Sequence, residues 1–339
     1  MKTVNLKKGL WFLLAGVVVS GCKKDETTSL LDSKSTFPRE VLMATSGSST
    51  SSDVPIGFAS VNGMTTGGAG GKTVTVTSYS ALERYAKSYS PMIILVKGTI
   101  KGSIGITVRS NKTIIGLSGA TLDGPGLLIY RASNIIIKNL TIKNARKTDG
   151  ITIKDKSHHV WIDHCTFTNP IYDGNLDITR EADYITVSWC KFSNSKINLL
   201  IGGSDSNTSD RGKLNVTLHH NYFVDNYERN PSVRFGRVHA FNNYYFNNIG
   251  TTAGYCLSSR MKAIVRAENN YFDVKTRSLV TMGPDYGYFS AVSTNVYKGD
   301  SRNRIYTALS SWAPSYSYKS VLIPAQDVPR VVAAGAGAS

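Results

Sequence analysis

The stretch Asn134-Ile135-Ile136-Ile137-Lys138-Asn139-Leu140-Thr141-Ile142 decides the fold, because its pattern recurs along the chain. A short apolar strand is followed by a small polar residue and then by further apolar positions. The pattern returns as His159-Val160-Trp161-Ile162-Asp163-His164-Cys165-Thr166-Phe167 and as Tyr184-Ile185-Thr186-Val187-Ser188-Trp189-Cys190-Lys191-Phe192. Later copies are Val216 to Phe223 and the segments around Asn243 and Asn270, with a glycine variant at Gly116. Equivalent positions at 116, 139, 165, 190, 221, 243 and 270 give spacings of 23, 26, 25, 31, 22 and 27 residues. Strands this short, with no helical period between them, do not form βαβ units. Stacking each on its predecessor predicts an all-β chain, a right-handed parallel β-helix built as a single-stranded solenoid. The uneven spacing then measures loops that bulge from one side of the coils, where binding sites are usually built.

Asn139, Asn221, Asn243 and Asn270 are expected at one coil position, where stacked amides hydrogen-bond along the axis. Cys165 and Cys190 fall on two adjacent rungs. A disulfide is open to an exported protein, but two stacked sulfurs acting as small hydrophobic fillers is the favoured reading. Cys256 has no evident partner and is expected to be buried.

Outward from the repeat, the chain of 339 residues is 41% hydrophobic and 18% charged, enough to bury one large β domain. Thirty glycines and 18 tyrosines fit β structure. The formal charge of +16 calls for an anionic partner: nucleic acid, an anionic membrane surface or an acidic polysaccharide.

Lys7 and Lys8 precede an apolar run from Leu10 to Val19 that is too short to span a bilayer, so residues 1–21 read as an export leader. Val19-Ser20-Gly21-Cys22 resembles a bacterial lipobox, which implies lipidation at Cys22. Residues 22–54 are rich in Ser and Thr without an apolar period and read as a flexible tether, leaving 55–339 for the solenoid. The expected location is outside the cell, lipid-anchored to a bacterial outer membrane or cell surface, or alternatively secreted.

Three features stand on successive coils: Asp149 in Thr148-Asp149-Gly150-Ile151, then Asp173 and Asp177 in Tyr172-Asp173-Gly174-Asn175-Leu176-Asp177, then Arg229-Asn230-Pro231-Ser232-Val233-Arg234. The even spacing of Asp173 and Asp177 lets both face one side of an extended segment, and the preceding coil brings Asp149 alongside. Converging carboxylates repel and need a cation. Calcium, which takes several oxygens in flexible geometry, is the natural occupant. An isolated Asp-Gly-x-x-Asp is more often a solvated turn, and the arginine segment is what shifts the balance.

At this point the sequence resembles polysaccharide lyase family 1, the pectate lyases. Trp161-Ile162-Asp163-His164, Asp173 to Asp177, and Arg229 to Arg234 are similar to that family's WiDH, DGxxD and RxPxxR motifs. Gly57-Phe58-Ala59 through Gly71, Asp210 to Leu214, and Gly236 to Ala240 support it, so the likeness runs from about residue 55 onward. The resemblance implies that Asp149, Asp173 and Asp177 bind calcium, that Arg229 removes a proton, and that Arg234 holds a substrate carboxylate. It implies β-elimination of polygalacturonate to 4,5-unsaturated products, with an alkaline optimum because arginine is a weak donor of its proton. The implied protein is a monomer that takes no nucleic acid and touches a membrane only through its lipid. The family's substrate-binding lysine is expected three residues before the leucine of an LIG-like segment, and counting from Leu200 gives Ile197 instead. Lys196, one position away, is the candidate for that role.

Other motifs are weaker. Gly67 to Thr73 is similar to a phosphate loop but has Thr66 where that loop needs glycine. His164, His219, His220 and Asp163 lie on repeat strands and read as structural. A pectin lyase on the same fold would lack the acidic cluster, a β-helix polygalacturonase would have no need of Arg229 and Arg234, and a non-catalytic polysaccharide binder would keep the groove without the base.

Overall fold

The computed structural model describes residues 54–248 and 254–339, so the leader, Cys22 and the tether up to residue 53 lie outside the described residues. Within them, one 10-stranded and two 9-stranded sheets run the length of a parallel β-helix. Each coil adds one strand to each sheet. Lys112–Gly116 joins the first, Thr121–Asp123 the second and Leu127–Tyr130 the third, before Ser133–Lys138 returns to pair in parallel with Lys112–Gly116.

Side chains alternate along each strand, so every coil sends apolar residues inward to the same columns. Phe167, Phe192, Phe223, Tyr245, Phe272 and Tyr297 form one column, with successive ring centroids 4.8, 5.0, 4.8, 4.6 and 5.3 Å apart. That repeat matches the strand spacing of about 4.8 Å, so the rings stack because the coils stack. Helix Tyr79–Ala86, capped by the Ser78 hydroxyl at Ala81 N (3.3 Å), buries Leu82 and Ala86 in the core beside the early strands. Its amphipathic face shields apolar columns that have no further coil to stack on.

The amide ladder is present, but its membership differs from the sequence expectation. Asn221 Nδ2 donates to Asn243 Oδ1 (2.9 Å), Asn243 Nδ2 to Asn270 Oδ1 (3.0 Å) and Asn270 Nδ2 to Asn295 Oδ1 (2.9 Å). Asn139 is not a rung. The pairing of Lys138 with Asp163 places Asn139 level with His164 and puts Leu140 level with Cys165. Asn139 faces outward instead, donating to Gly116 O (2.9 Å) and accepting from Ser339 N (2.7 Å). The error came from matching residue type before strand register. Cys165, Cys190 and Cys256 are free and buried, as the filler reading expected, and Cys165 N reaches Cys190 Sγ at 3.4 Å.

Segments from both ends of the described chain lie across the outer face of the first sheet. Phe58 N and Ala59 N donate to Thr217 Oγ1 (3.0 Å) and Thr186 Oγ1 (3.1 Å), and Gly68 N donates to Thr113 Oγ1 (2.9 Å). The glycine run is there for fit, since a Cβ on Gly68 would stand 1.9 Å from Met92 O. From the other end, Tyr316 meets Thr217 (2.7 Å) and His239 (2.8 Å). His164, Trp189 and His220 stack face to face along this sheet, and burial pushes His219 down to about 4, so these histidines are packing elements away from the third sheet.

Glu268 ties the later segment down. Its carboxylate, 4% exposed, accepts from Arg266 (2.8 Å), Tyr318 (2.8 Å), Lys319 (3.0 Å) and His239 (3.2 Å). Burial alone would raise its pKa, but the donated bonds outweigh it and hold the carboxyl well below the ordinary range. Because the folded value is depressed, the stabilisation is full above about 4.5, the ordinary glutamate value, and is lost as pH falls below it. Glu268→Gln should therefore cost about 3 kcal/mol at pH 7, with the gap to the parent narrowing under acid. Thermal melts at pH 7 and pH 4 check this, and equal melting temperatures at pH 7 would sink it.

Candidate active site

The third sheet carries the chemistry-bearing residues. Its strands Ile151–Lys154, Leu176–Ile178, Leu199–Ile201, Ser232–Arg234 and Tyr255–Arg260 are successive neighbours. Asp177 pairs with Thr152 on one side and Leu200 on the other, and Leu200 pairs with Ser232. The arginine strand is thus two coils, about 10 Å, from Asp177 on the same sheet.

Just before these strands the chain bends, and a second amide ladder fixes the bends. Asn175 Nδ2 donates to Asn198 Oδ1 (2.8 Å) and Asn198 Nδ2 to Asn230 Oδ1 (2.7 Å), with all three buried. Neighbours of these asparagines are the candidate residues: Asp173, Lys196 and Arg229. The ladder was overlooked in the sequence, though Asn175-Leu176 and Asn198-Leu199 repeat the same pair one coil apart. Gly150 and Gly174 serve the same bends, because a Cβ would stand 2.7 Å from Asn175 O and 2.9 Å from Asn198 O.

Asp149 is buried, and its carboxylate accepts from Thr152 Oγ1 (2.9 Å) and Gly174 N (3.1 Å). Burial raises its pKa, those bonds restrain it, and the charge of Asp173 adds to the rise. Asp177 is pushed up to about 8, first by burial and then by Asp149 and Asp173, against the pull of Arg229 and Lys154. The three aspartates therefore share one electrostatic field. No group of three His, Cys, Asp or Glu among the described residues closes into a ready metal shell. An all-oxygen set, open and mutually repelling, fits a cation that completes its coordination from water or substrate, as calcium does.

Arg229 is partly exposed and stands 3.9 Å from Glu228 Oε1. Arg234 is more enclosed: its Nε donates to Asp205 Oδ1 (2.5 Å) and its Nη1 to Gly202 O (3.0 Å). Arg260, level with Arg234 on the next coil, donates Nη2 to the other Asp205 oxygen (2.6 Å). Gly202 adopts φ +86°, and any Cβ there would meet Arg234 at 2.7 Å. Asp205 and Arg260 were not among the sequence candidates. Asp205 sits in a loop without a repeat signature, and only strand register reveals Arg260.

Lys196 lies just before the paired strands. Asn175 and Asn198 are 23 residues apart across one coil, and the same step carries Asp173 to Lys196. The inward leucine of this coil is Leu199, so Lys196 stands three residues before it and four before the leucine of Leu200-Ile201-Gly202. Its side chain is exposed.

A family model described as pectate lyase matches residues 28–339. The pectate trisaccharide-lyase of Thermotoga sp. is 36% identical, the match covering 84% of this chain and 89% of that protein. Pectate lyase plyB of Emericella nidulans is 40% identical over 75% and 79% of the two chains. Among solved structures, the pectate lyase of Bacillus sp. N165 in complex with trigalacturonate superposes with a TM-score of 0.70 at 31% identity, covering 84% of this chain and 98% of that one.

Proposed function

Since this chain belongs to the pectate lyase family and is a polysaccharide lyase, we propose that it cleaves polygalacturonate by calcium-dependent β-elimination at the third sheet. The observation that carries the reading is the trio Asp149, Asp173 and Asp177, in which burial first and then the neighbouring carboxylates raise Asp177, set two coils from Arg229 and Arg234.

In this reading Asp149, Asp173 and Asp177 would hold calcium beside the substrate. Calcium supplies charge neutralisation beside a galacturonate carboxylate, which makes the adjacent C5 hydrogen more acidic. Arg229 takes the C5 proton, the C5–H electron pair becomes the C4–C5 double bond, and the C4 oxygen leaves with its sugar and takes a proton from water, giving a 4,5-unsaturated end. Arg234, steadied by Asp205, and Lys196, one coil on from Asp173, bind substrate carboxylates. Arginine gives a neutral base only at high pH, so the rate should climb through the alkaline range.

The test is the ultraviolet absorbance of unsaturated product from polygalacturonate. Product should accumulate with calcium, stop in excess chelator and resume when calcium is restored. Undiminished turnover in chelator would remove calcium from the mechanism.

A further inference from the structure

The third sheet continues past Arg260 for two more strands, Arg277–Thr281 and Arg302–Arg304. Tyr255 pairs with Arg277, Arg277 with Arg302, and Val280 with Arg304. Arg277 and Arg302 thus share one column at the level of Tyr255, the strand end opposite Arg260, and the last of these strands lies three strands, about 15 Å, beyond Ser232–Arg234. A cavity of about 430 Å³ opens there, lined by Lys275, Thr276, Arg277, Arg302, Asn303 and Arg304. Among the described residues that line it, four of the six are cations and none is acidic. Nearer the centre the case is different, since Asp205 bridges Arg234 and Arg260.

Like charges gathered without a carboxylate in the lining repel one another and lower the energy of an incoming anion. Backbone contacts fix part of the cluster: Thr276 Oγ1 donates to Gly254 O, and Arg277 Nε reaches the same oxygen at 3.4 Å. Arg302, Arg304 and Lys275 are exposed and face solvent at the cavity mouth. A ligand suited to cations repeated along one direction is a polyanion bearing a carboxylate on every unit.

We propose that Lys275, Arg277, Arg302 and Arg304 form a distal carboxylate-binding subsite that holds the polygalacturonate chain beyond the cleavage point. The proposal rests on the reading of this chain as a polygalacturonate lyase. It makes the enzyme favour long chains, since a short oligomer seated across Asp177 and Arg229 leaves the distal cations unvisited.

The experiment compares the parent with Arg302→Gln/Arg304→Gln and with the triple variant that adds Arg277→Gln, each checked for an unchanged melting temperature. On polygalacturonate, KM should rise about fivefold to tenfold with kcat within about twofold, an effect that shrinks in added salt. Kinetics on trigalacturonate should not change. Migration in gels containing polygalacturonate should be retarded less for the variants, and this readout needs no turnover. A parent that turned over neither substrate would defeat the functional reading, while the gels would still decide the subsite. Equal KM changes on both substrates, no change on either, or unaltered gel retardation would overturn the proposal. So would binding of phosphatidylglycerol vesicles that the variants lose while polygalacturonate binding persists. If the triple variant fails to fold, the double variant at two exposed positions gives the same decision.

Discussion

Arg229→Lys should lower kcat by about a thousandfold while calcium affinity and melting temperature stay near the parent's. The residue stands at the bend pinned by the Asn175–Asn198–Asn230 ladder, close enough to Asp177 to draw its pKa down. A lysine keeps the charge and so preserves that electrostatic service. It moves and reshapes the group that must meet the C5 hydrogen, and a proton-abstracting group misplaced by an ångström loses most of its effect. Arg234→Lys should behave differently. A single ammonium does not span Asp205 Oδ1 and Gly202 O as the guanidinium does, so the carboxylate grip loosens and KM rises with a smaller loss of kcat. Initial rates across substrate concentration and pH separate the two. Near-parental kcat in Arg229→Lys through the alkaline range would assign the base elsewhere, with Lys196 the next residue to replace.

The second large effect belongs to Asp177→Asn, expected to cut activity and calcium affinity by about a hundredfold or more. The parent should also bind calcium more tightly as pH rises toward 8, by about tenfold per unit, because a proton must leave a carboxyl held at about 8. The variant has no such proton and should show a flatter dependence. Stability in chelator should move the opposite way. A carboxyl raised in the folded state stabilises the fold when protonated, so the metal-free parent loses stability between 3.8, the ordinary value, and about 8. Asp177→Asn should escape that loss and melt higher than the parent at pH 8.5. Titration calorimetry and melts in chelator measure both. A variant that binds calcium as the parent does would take Asp177 out of the ligand set.

The fold was legible because a solenoid writes its geometry as a period, and seven short segments repeated it. What the period did not fix was phase. Asn139 resembled the rungs in residue type and yet lies one place off them, because Lys138 pairs with Asp163. The same one-residue offset separates Lys196 from the family's spacing, which counts from Leu200, while its spacing to the inward Leu199 is three. Charged residues on coil strands were found when a motif surrounded them, as for Asp173, Asp177, Arg229 and Arg234. Arg260 and Arg277 have no such frame, and their meaning depends on which residue lies beside them on the next coil. Asp205 was invisible for another reason: loop conformation has no periodicity, and the residue's role comes from two arginines 29 and 55 positions away.

A stack of coils is ordinarily a nearest-neighbour chain, in which each unit supports only the next and either end can fray by itself. The backbone of Ser339 reaches Asn139, 200 residues earlier, while Ile323 N bonds Asn242 and Tyr316 bonds Thr217. Those contacts lace late sequence across coils made far earlier, so opening one end forces a strap to lift from the middle. The loop-closure entropy of so long a span is spent once, at the final step of folding. Coils are free to assemble in order as the chain emerges, but the clasp closes only when its far end arrives, turning a linear array into a single cooperative body.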